Sequence, residues 1–148
     1  MSYFRFIAMI ATSVVAMYIL MYLNTYSLAH VYWSQTRAWM ALYMGAVMAL
    51  IMLGYMLAMY RNRAANIAIL VVGVVVFSGS LYLLRSQNTV DDVAWMRAMI
   101  PHHSIAILTS ERANITDPRV RELADAIIAT QLREIDEMET LIEDLNAP

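Results

Sequence analysis

The chain has no cysteine and no lysine, and its first 84 residues contain no carboxylate. Without cysteine there is no disulfide framework, no thiolate zinc site and no thiol nucleophile. The missing lysine leaves arginine as the sole basic residue, and nothing in the sequence gives a physical reason for that. The missing carboxylates divide the net charge of −2 very unevenly. Residues 1–84 hold four arginines and carry +4, whereas residues 85–148 hold six arginines against all 12 acids and carry −6. No basic cluster suits nucleic acid, and an acidic half repels phosphate. Charged residues make up 15% of the chain and apolar residues 61%, against about 25% and about 45–50% in soluble domains. That balance argues against a soluble globule, more strongly against a disordered chain, and for a membrane protein.

Three uncharged segments fill the first half, at residues 6–23, 38–60 and 64–84, with lengths of 18, 23 and 21. About 20 helical residues cross a bilayer core, where the backbone must satisfy its own hydrogen bonds, so three transmembrane helices are expected. Residues 1–86 then form a membrane domain. Tyr22, Tyr26, Tyr32 and Trp33 cluster in the first connection, where an aromatic belt would meet the interface. Arg5, Arg61, Arg63 and the amino terminus outweigh Arg37 and Arg85, so the positive-inside rule sets the N-terminus in the cytoplasm. The expected location is a bacterial inner membrane with the C-terminal part periplasmic or extracellular. A competing reading makes the first segment a cleaved signal peptide, with small Ser27 and Ala29 in a cleavage-like arrangement; its apolar run exceeds a usual h-region.

Residues 87–148 change character. Thr89-Val-Asp-Asp92 resembles a capping box and opens a helix over about 90–113. Asp117-Pro118 is a second start signal. From there Val120, Ala124, Ile127, Gln131, Ile135, Met138, Ile142 and Leu145 recur at spacings of three and four, one stripe of a helix over 118–146. Two helices alone leave apolar surface uncovered. Pairing with a second copy makes a four-helix bundle, so a homodimer or higher homo-oligomer is expected.

His102 and His103 lie inside the first helix of this hairpin. Adjacent helical positions diverge by about 100°, so only one of them shares a side with Met99. Pro101 cannot donate to the Arg97 carbonyl and leaves a kink or an open acceptor beside the pair. On the second helix Gln131, Glu134 and Met138 form a polar and thioether-bearing line. Imidazole with thioether suits copper, Cu(I) or Cu(II), and Gln131 or Glu134 can orient a ligating imidazole. The alternative is plain packing, with Met99 and Met138 as adaptable core and the histidines hydrogen-bonded.

Met-Ile-Pro-His-His-x-x-Ala at 99–106 and Gln-x-x-Glu-Ile-x-x-Met at 131–138 together closely resemble the family designated domain of unknown function number 305. The resemblance spans roughly residues 88–145. It implies a helical, ferritin-like bundle and a relation to copper binding and copper resistance outside the cytoplasm, with the three preceding spans as a membrane-anchored branch. It implies Met99, His102, His103 and Met138 as metal ligands, with Gln131 and Glu134 at motif positions of less defined role. The sequence departs at Thr109, where many members carry a methionine, which implies a weaker site or one that takes further ligands from the membrane half.

Met40, Met44, Met48, Met52 and Met56 recur at four-residue steps, with Met59 three beyond. The row makes a thioether ridge along the second segment and suggests a Cu(I) relay, by analogy with Met-x-x-x-Met elements of three-span copper transporters. Packing explains the row as well, because Ala41, Gly45 and Ala49 form an adjoining small-residue row able to seat another helix, and no ionisable residue lies within a span. His30 reads as an amphipathic interfacial residue. No nucleophile triad, phosphate loop or nucleotide fingerprint is present, and the Glu-x-x-His pairs of a di-iron centre are missing, so no enzymatic activity is expected. The expected function is membrane-anchored copper binding, with a metal-free structural or interaction role as the alternative. Metal binding should weaken as pH falls through the histidine range, because ligating imidazole is neutral.

Overall fold

The computed structural model describes residues 2–147. Its order is α1 (Tyr3–Leu20), a 3-10 turn (Leu28–His30), α2 (Gln35–Tyr55), α3 (Arg63–Ser86), α4 (Asp92–Arg112) and α5 (Pro118–Asn146). The fold class is all-α, with no strand among the described residues. Helices α1 to α3 have 18, 21 and 24 residues and are apolar enough to cross a membrane. At 1.5 Å per residue they measure about 27, 32 and 36 Å, against a hydrocarbon core of about 30 Å.

The chain divides into two compact units, and the division is interleaved. Residues 1–21 and 36–89 form one unit; residues 22–35 and 90–148 form the other. The connection between α1 and α2, assigned from sequence to a membrane domain over 1–86, therefore belongs with the α4–α5 hairpin. Its tyrosines make contacts within that unit. The Tyr22 hydroxyl donates to the Tyr32 carbonyl at 2.8 Å and accepts from the Ser34 amide at 3.1 Å.

In the first unit the helix limits differ from the uncharged runs. Helix α1 starts at Tyr3, because the Ser2 hydroxyl caps it by accepting from the Phe4 amide at 3.2 Å. It stops at Leu20, three residues before the uncharged run does. Helix α2 includes Arg37, where the sequence reading stopped at the charge. Arg37 is buried, and its guanidinium donates to the carbonyl of Met21, the residue that caps α1 and whose C=O lacks an intrahelical partner. At its other end α2 stops at Tyr55, and the chain turns so that Tyr60 packs inward between Tyr3 and Phe6, with ring centroids 4.9 and 5.4 Å away. The Tyr3 hydroxyl locks this end by donating to Asn66 Oδ1 at 2.9 Å and accepting from the Asn62 amide at 3.1 Å. Asn62 caps α3 through the Ala65 amide, and Gln87 ends it in the left-handed region at φ 54°.

The expected small-residue seat is present. A Cβ on Gly45 would collide with Val14 Cγ2, and one on Gly73 would lie 2.7 Å from Leu50 Cδ2. Close helix approach thus depends on Gly45, whose neighbour is a stiff branched side chain, in keeping with the small residues that helix packing in lipid requires, whereas the Leu50 tip at Gly73 can shift. A cleft of about 620 Å³ between α1, α2 and α3 is lined by apolar residues such as Phe6, Val14, Ala49 and Val76, and by no methionine. Met56 and Met59 lie beyond the end of α2, so the helical part of the methionine row runs from Met40 to Met52. Met52 and Met56 pack on the Phe6–Leu53–Tyr60 cluster.

In the second unit α4 is capped by Asp91, whose carboxylate accepts from the Ala94 amide at 2.7 Å. The cap expected at Thr89 falls two residues too early, since a carboxylate at 91 reaches an amide three positions on as the capping geometry requires. Asp117 caps α5 with Pro118 in its first turn, and α5 ends at Asn146, both as read from sequence. The core between the helices holds Met96, Ile100, Ile107, Ile135, Met138 and Ile142.

Candidate metal centre

Helix register sets the site. Met99 and His103 are four residues apart on α4, and Glu134 and Met138 are four apart on α5, so each pair shares one face of its helix. The hairpin turns these faces toward each other. His103 is buried, with Nε2 2.8 Å from Glu134 Oε2 and Nδ1 3.0 Å from the Met99 carbonyl. Met138 is buried in the core, and half-buried Met99 packs on the same cluster. The His103 side chain is 11% exposed and that of Glu134 40%, so the pair sits at the edge of the core with its carboxylate toward the outside.

Both ring nitrogens of His103 face oxygen atoms. With a metal ion bound, the Nδ1–H to carbonyl bond would hold the ring in the tautomer that leaves the Nε2 lone pair free, a common way of orienting a ligating imidazole. Glu134 is already at that nitrogen, where it can act as a further ligand or as an acceptor for one. Two thioethers, one imidazole and one carboxylate suit copper better than a hard cation. Among the described residues no three His, Asp or Glu side chains converge on one point, so the methionines are essential to any such site.

The remaining sequence candidates lie elsewhere. His102 is exposed, its ring centroid 6.2 Å from that of His103 and tilted by 63°. Gln131 is half-buried, one turn before Ile135. The exposed Thr109 hydroxyl donates to the carbonyls of Ile105 and Ala106 on its own helix.

The sequence reading missed a second polar cluster on the other side of α4. Ser104 is fully buried; its Oγ accepts from the Tyr26 amide at 2.7 Å and lies 2.9 Å from His30 Nδ1. His30 is thus tied to the hairpin and is not merely interfacial. Nearby, the Tyr32 hydroxyl donates to Glu139 Oε1 at 3.1 Å. Burial first, then the Glu139 charge and this hydrogen bond, raise the Tyr32 pKa above the ordinary tyrosine value, while Arg97 partly offsets them. Residues 22–35 therefore form a strap across one side of the hairpin. The available signal was the run of tyrosines and the histidine in a connection too long and too aromatic for a bare turn.

The protein is thus an all-α chain with three helices long and apolar enough to span a membrane and a helical hairpin joined by the His103–Glu134 contact. Residues 87–148 match the family described as Domain of unknown function (DUF305), and the chain belongs to that family. It is 32% identical over 145 residues to "Uncharacterized protein L153" of Acanthamoeba polyphaga mimivirus, an alignment covering 93% of each chain. At that coverage the similarity reaches beyond the hairpin into the apolar half of the chain. No solved structure matches the chain.

Proposed function

We propose that the protein is a membrane-anchored copper-binding protein whose hairpin holds the ion outside the cytoplasm for buffering or resistance. The observation that supports this most is the 2.8 Å His103–Glu134 contact between α4 and α5, with Met99 and Met138 one helical turn from its two members and packed in the same hairpin core. Helices α1 to α3 serve as the anchor, with the N-terminus cytoplasmic and a bacterial inner membrane as the setting. The hairpin works as a homodimer or higher oligomer. Copper would supply no reaction here, so the role is binding and not catalysis. His103 is the principal imidazole ligand, Met99 and Met138 the sulfur ligands, and exposed His102 an outer donor. The methionine row of α2 is packing in this reading, since the cleft between the three helices has no methionine in its lining.

A metal-free structural role is the second reading. Its support is that both His103 nitrogens already have partners and that Met99 and Met138 already fill the core. Copper content and Cu(I) titration of the purified full-length protein, beside His103→Ala and a His102→Ala, His103→Ala double variant, separate the two. Stoichiometric binding that falls at least tenfold in both variants is the expected result. Equal, substoichiometric copper in all three proteins selects the structural role.

A further inference from the structure

The hairpin has two flanks, and the strap occupies one of them. Ser104, contacted by Tyr26 and His30, and Glu139, contacted by Tyr32, both lie to one side of the α4–α5 seam. On the other side, Trp95, Met99, His102 and Ala106 recur on α4 at steps of four, three and four. Leu123, Ile127, Glu134, Leu141 and Leu145 recur on α5 at steps of four, seven, seven and four. At about 100° per residue each set is a single line along its helix. The two lines share one flank, because His103 and Glu134, which touch, border both. The large apolar residues there are open: Trp95 is 51% exposed, Leu123 61%, Leu141 44% and Leu145 56%.

Helix α5 therefore carries two adjacent apolar seams. One, through Ala124, Ile135, Met138 and Ile142, is spent on α4. The other has no partner among the described residues of its own unit, and its seven-residue steps are those of a helix that packs against a further helix. Glu134 is its one charged member and is already paired with His103. The remaining carboxylates of the hairpin lie off this line.

We infer that this flank is the seat of a second copy of the chain, and that the Met99, His103 and Glu134 sets of the two copies meet across it. The inference deepens the oligomeric part of the proposed function and rests on it. Three arguments select a second copy over a lipid surface. The line is that of helix-on-helix packing. Residues 85–148 carry −6, which opposes contact with an anionic leaflet. The flank also reaches the lower end of the size needed: α4 is about 32 Å long and two helices are about 20 Å wide, a footprint of about 600 Å², and the smaller stable complexes bury about 600 Å² per partner. A two-fold interface is self-complementary, so whatever lies at its centre meets its own copy. Residues 99–103 and 134 lie near the middle of α4 and α5, which brings the two sets together at the axis.

The absence of native cysteine makes the test direct. A full-length double variant, Ile127→Cys with Leu141→Cys, and a Glu122→Cys variant on the outward face of α5 are treated with a short bismaleimide in nanodiscs under chelator. About a two-fold axis near Glu134, position 127 of one copy faces position 141 of the other, whereas within one chain the two are about 21 Å apart. The double variant should link most chains into dimers, at least fivefold more than Glu122→Cys. Leu123→Gln and Leu141→Glu should each halve the mass in detergent at unchanged helix content. Equal linking in both variants, or none in the double variant, overturns the proposal. So does quenching of Trp95 by bromolipids in a Trp33→Phe, Trp39→Phe background, which makes the bilayer the occupant. Dimers that form without any copper binding leave this inference standing and remove the copper reading; stoichiometric copper on an unlinked monomer does the reverse.

Discussion

His103 Nε2 and Glu134 Oε2 lie 2.8 Å apart although 31 residues separate them, and this contact fixes the register of α4 against α5. Glu134→Ala leaves the Nε2 of a buried ring without its partner. The expected cost is about 1–3 kcal/mol, toward the lower end because the Glu134 side chain is 40% exposed. Glu134→Gln keeps an acceptor and should recover most of it. Thermal unfolding followed by circular dichroism measures both.

Met99→Leu and Met138→Leu separate sulfur chemistry from packing. Met-to-Leu exchange conserves volume and costs less than about 1.5 kcal/mol. Copper ligation by the thioethers predicts at least a tenfold loss of Cu(I) affinity in each variant with little change in melting temperature. Unchanged affinity assigns both methionines to the core alone.

Ser104→Ala removes the acceptor of the Tyr26 amide and the neighbour of His30. The strap should then exchange its amides several-fold faster over residues 22–35, and a protease should cut there first. Hydrogen exchange by mass spectrometry reads this directly, and unchanged protection would show that the strap does not depend on Ser104.

Tyr32 gives a pH dependence. Its pKa is raised by burial and then by Glu139, so its contribution to stability is fully present below the unfolded tyrosine value, near 10. That contribution is lost as pH rises through the higher folded value. The strap should loosen above pH about 10, and Tyr32→Phe should abolish the alkaline step. A tyrosinate absorbance titration run alongside hydrogen exchange tests it.

Gly45→Ala and Gly79→Ala should act in opposite directions. A Cβ at Gly45 meets Val14, whose branched side chain has little freedom to move, whereas a Cβ at Gly79 meets nothing within 4 Å. Gly45→Ala should lower the melting temperature in detergent. Gly79→Ala should leave it unchanged or raise stability by up to about 1 kcal/mol through helix propensity.

Local chemistry was legible from the residues. Asp117-Pro118 opens α5 because a carboxylate cap and a proline at the first helical position satisfy the same end geometry. The Ala41, Gly45, Ala49 row marked the place where α1 approaches, because only small side chains permit it. Helical spacing grouped Met99 with one of the two adjacent histidines and put Gln131, Glu134 and Met138 on one line, and the structure turns His103 toward Glu134. Helix limits were read less well at Arg37, where a charge is buried against the end of another helix, and at Thr89, where Asp91 offered a better-placed carboxylate. The strap was not legible at all. Its contacts join Tyr26 to Ser104 and Tyr32 to Glu139 across 78 and 107 residues, and no periodic pattern encodes contacts that distant.

Those separations bear on how the chain is made. Residues 22–35 emerge early in synthesis but find their partners only after α4 and α5 have been completed near the C-terminus. The second unit therefore has a high contact order despite its helical content, and contacts of that kind slow the last step of folding relative to a helical hairpin alone. A chain truncated within α5 would leave the strap undocked, with the polar groups of Ser104 and His30 open to solvent.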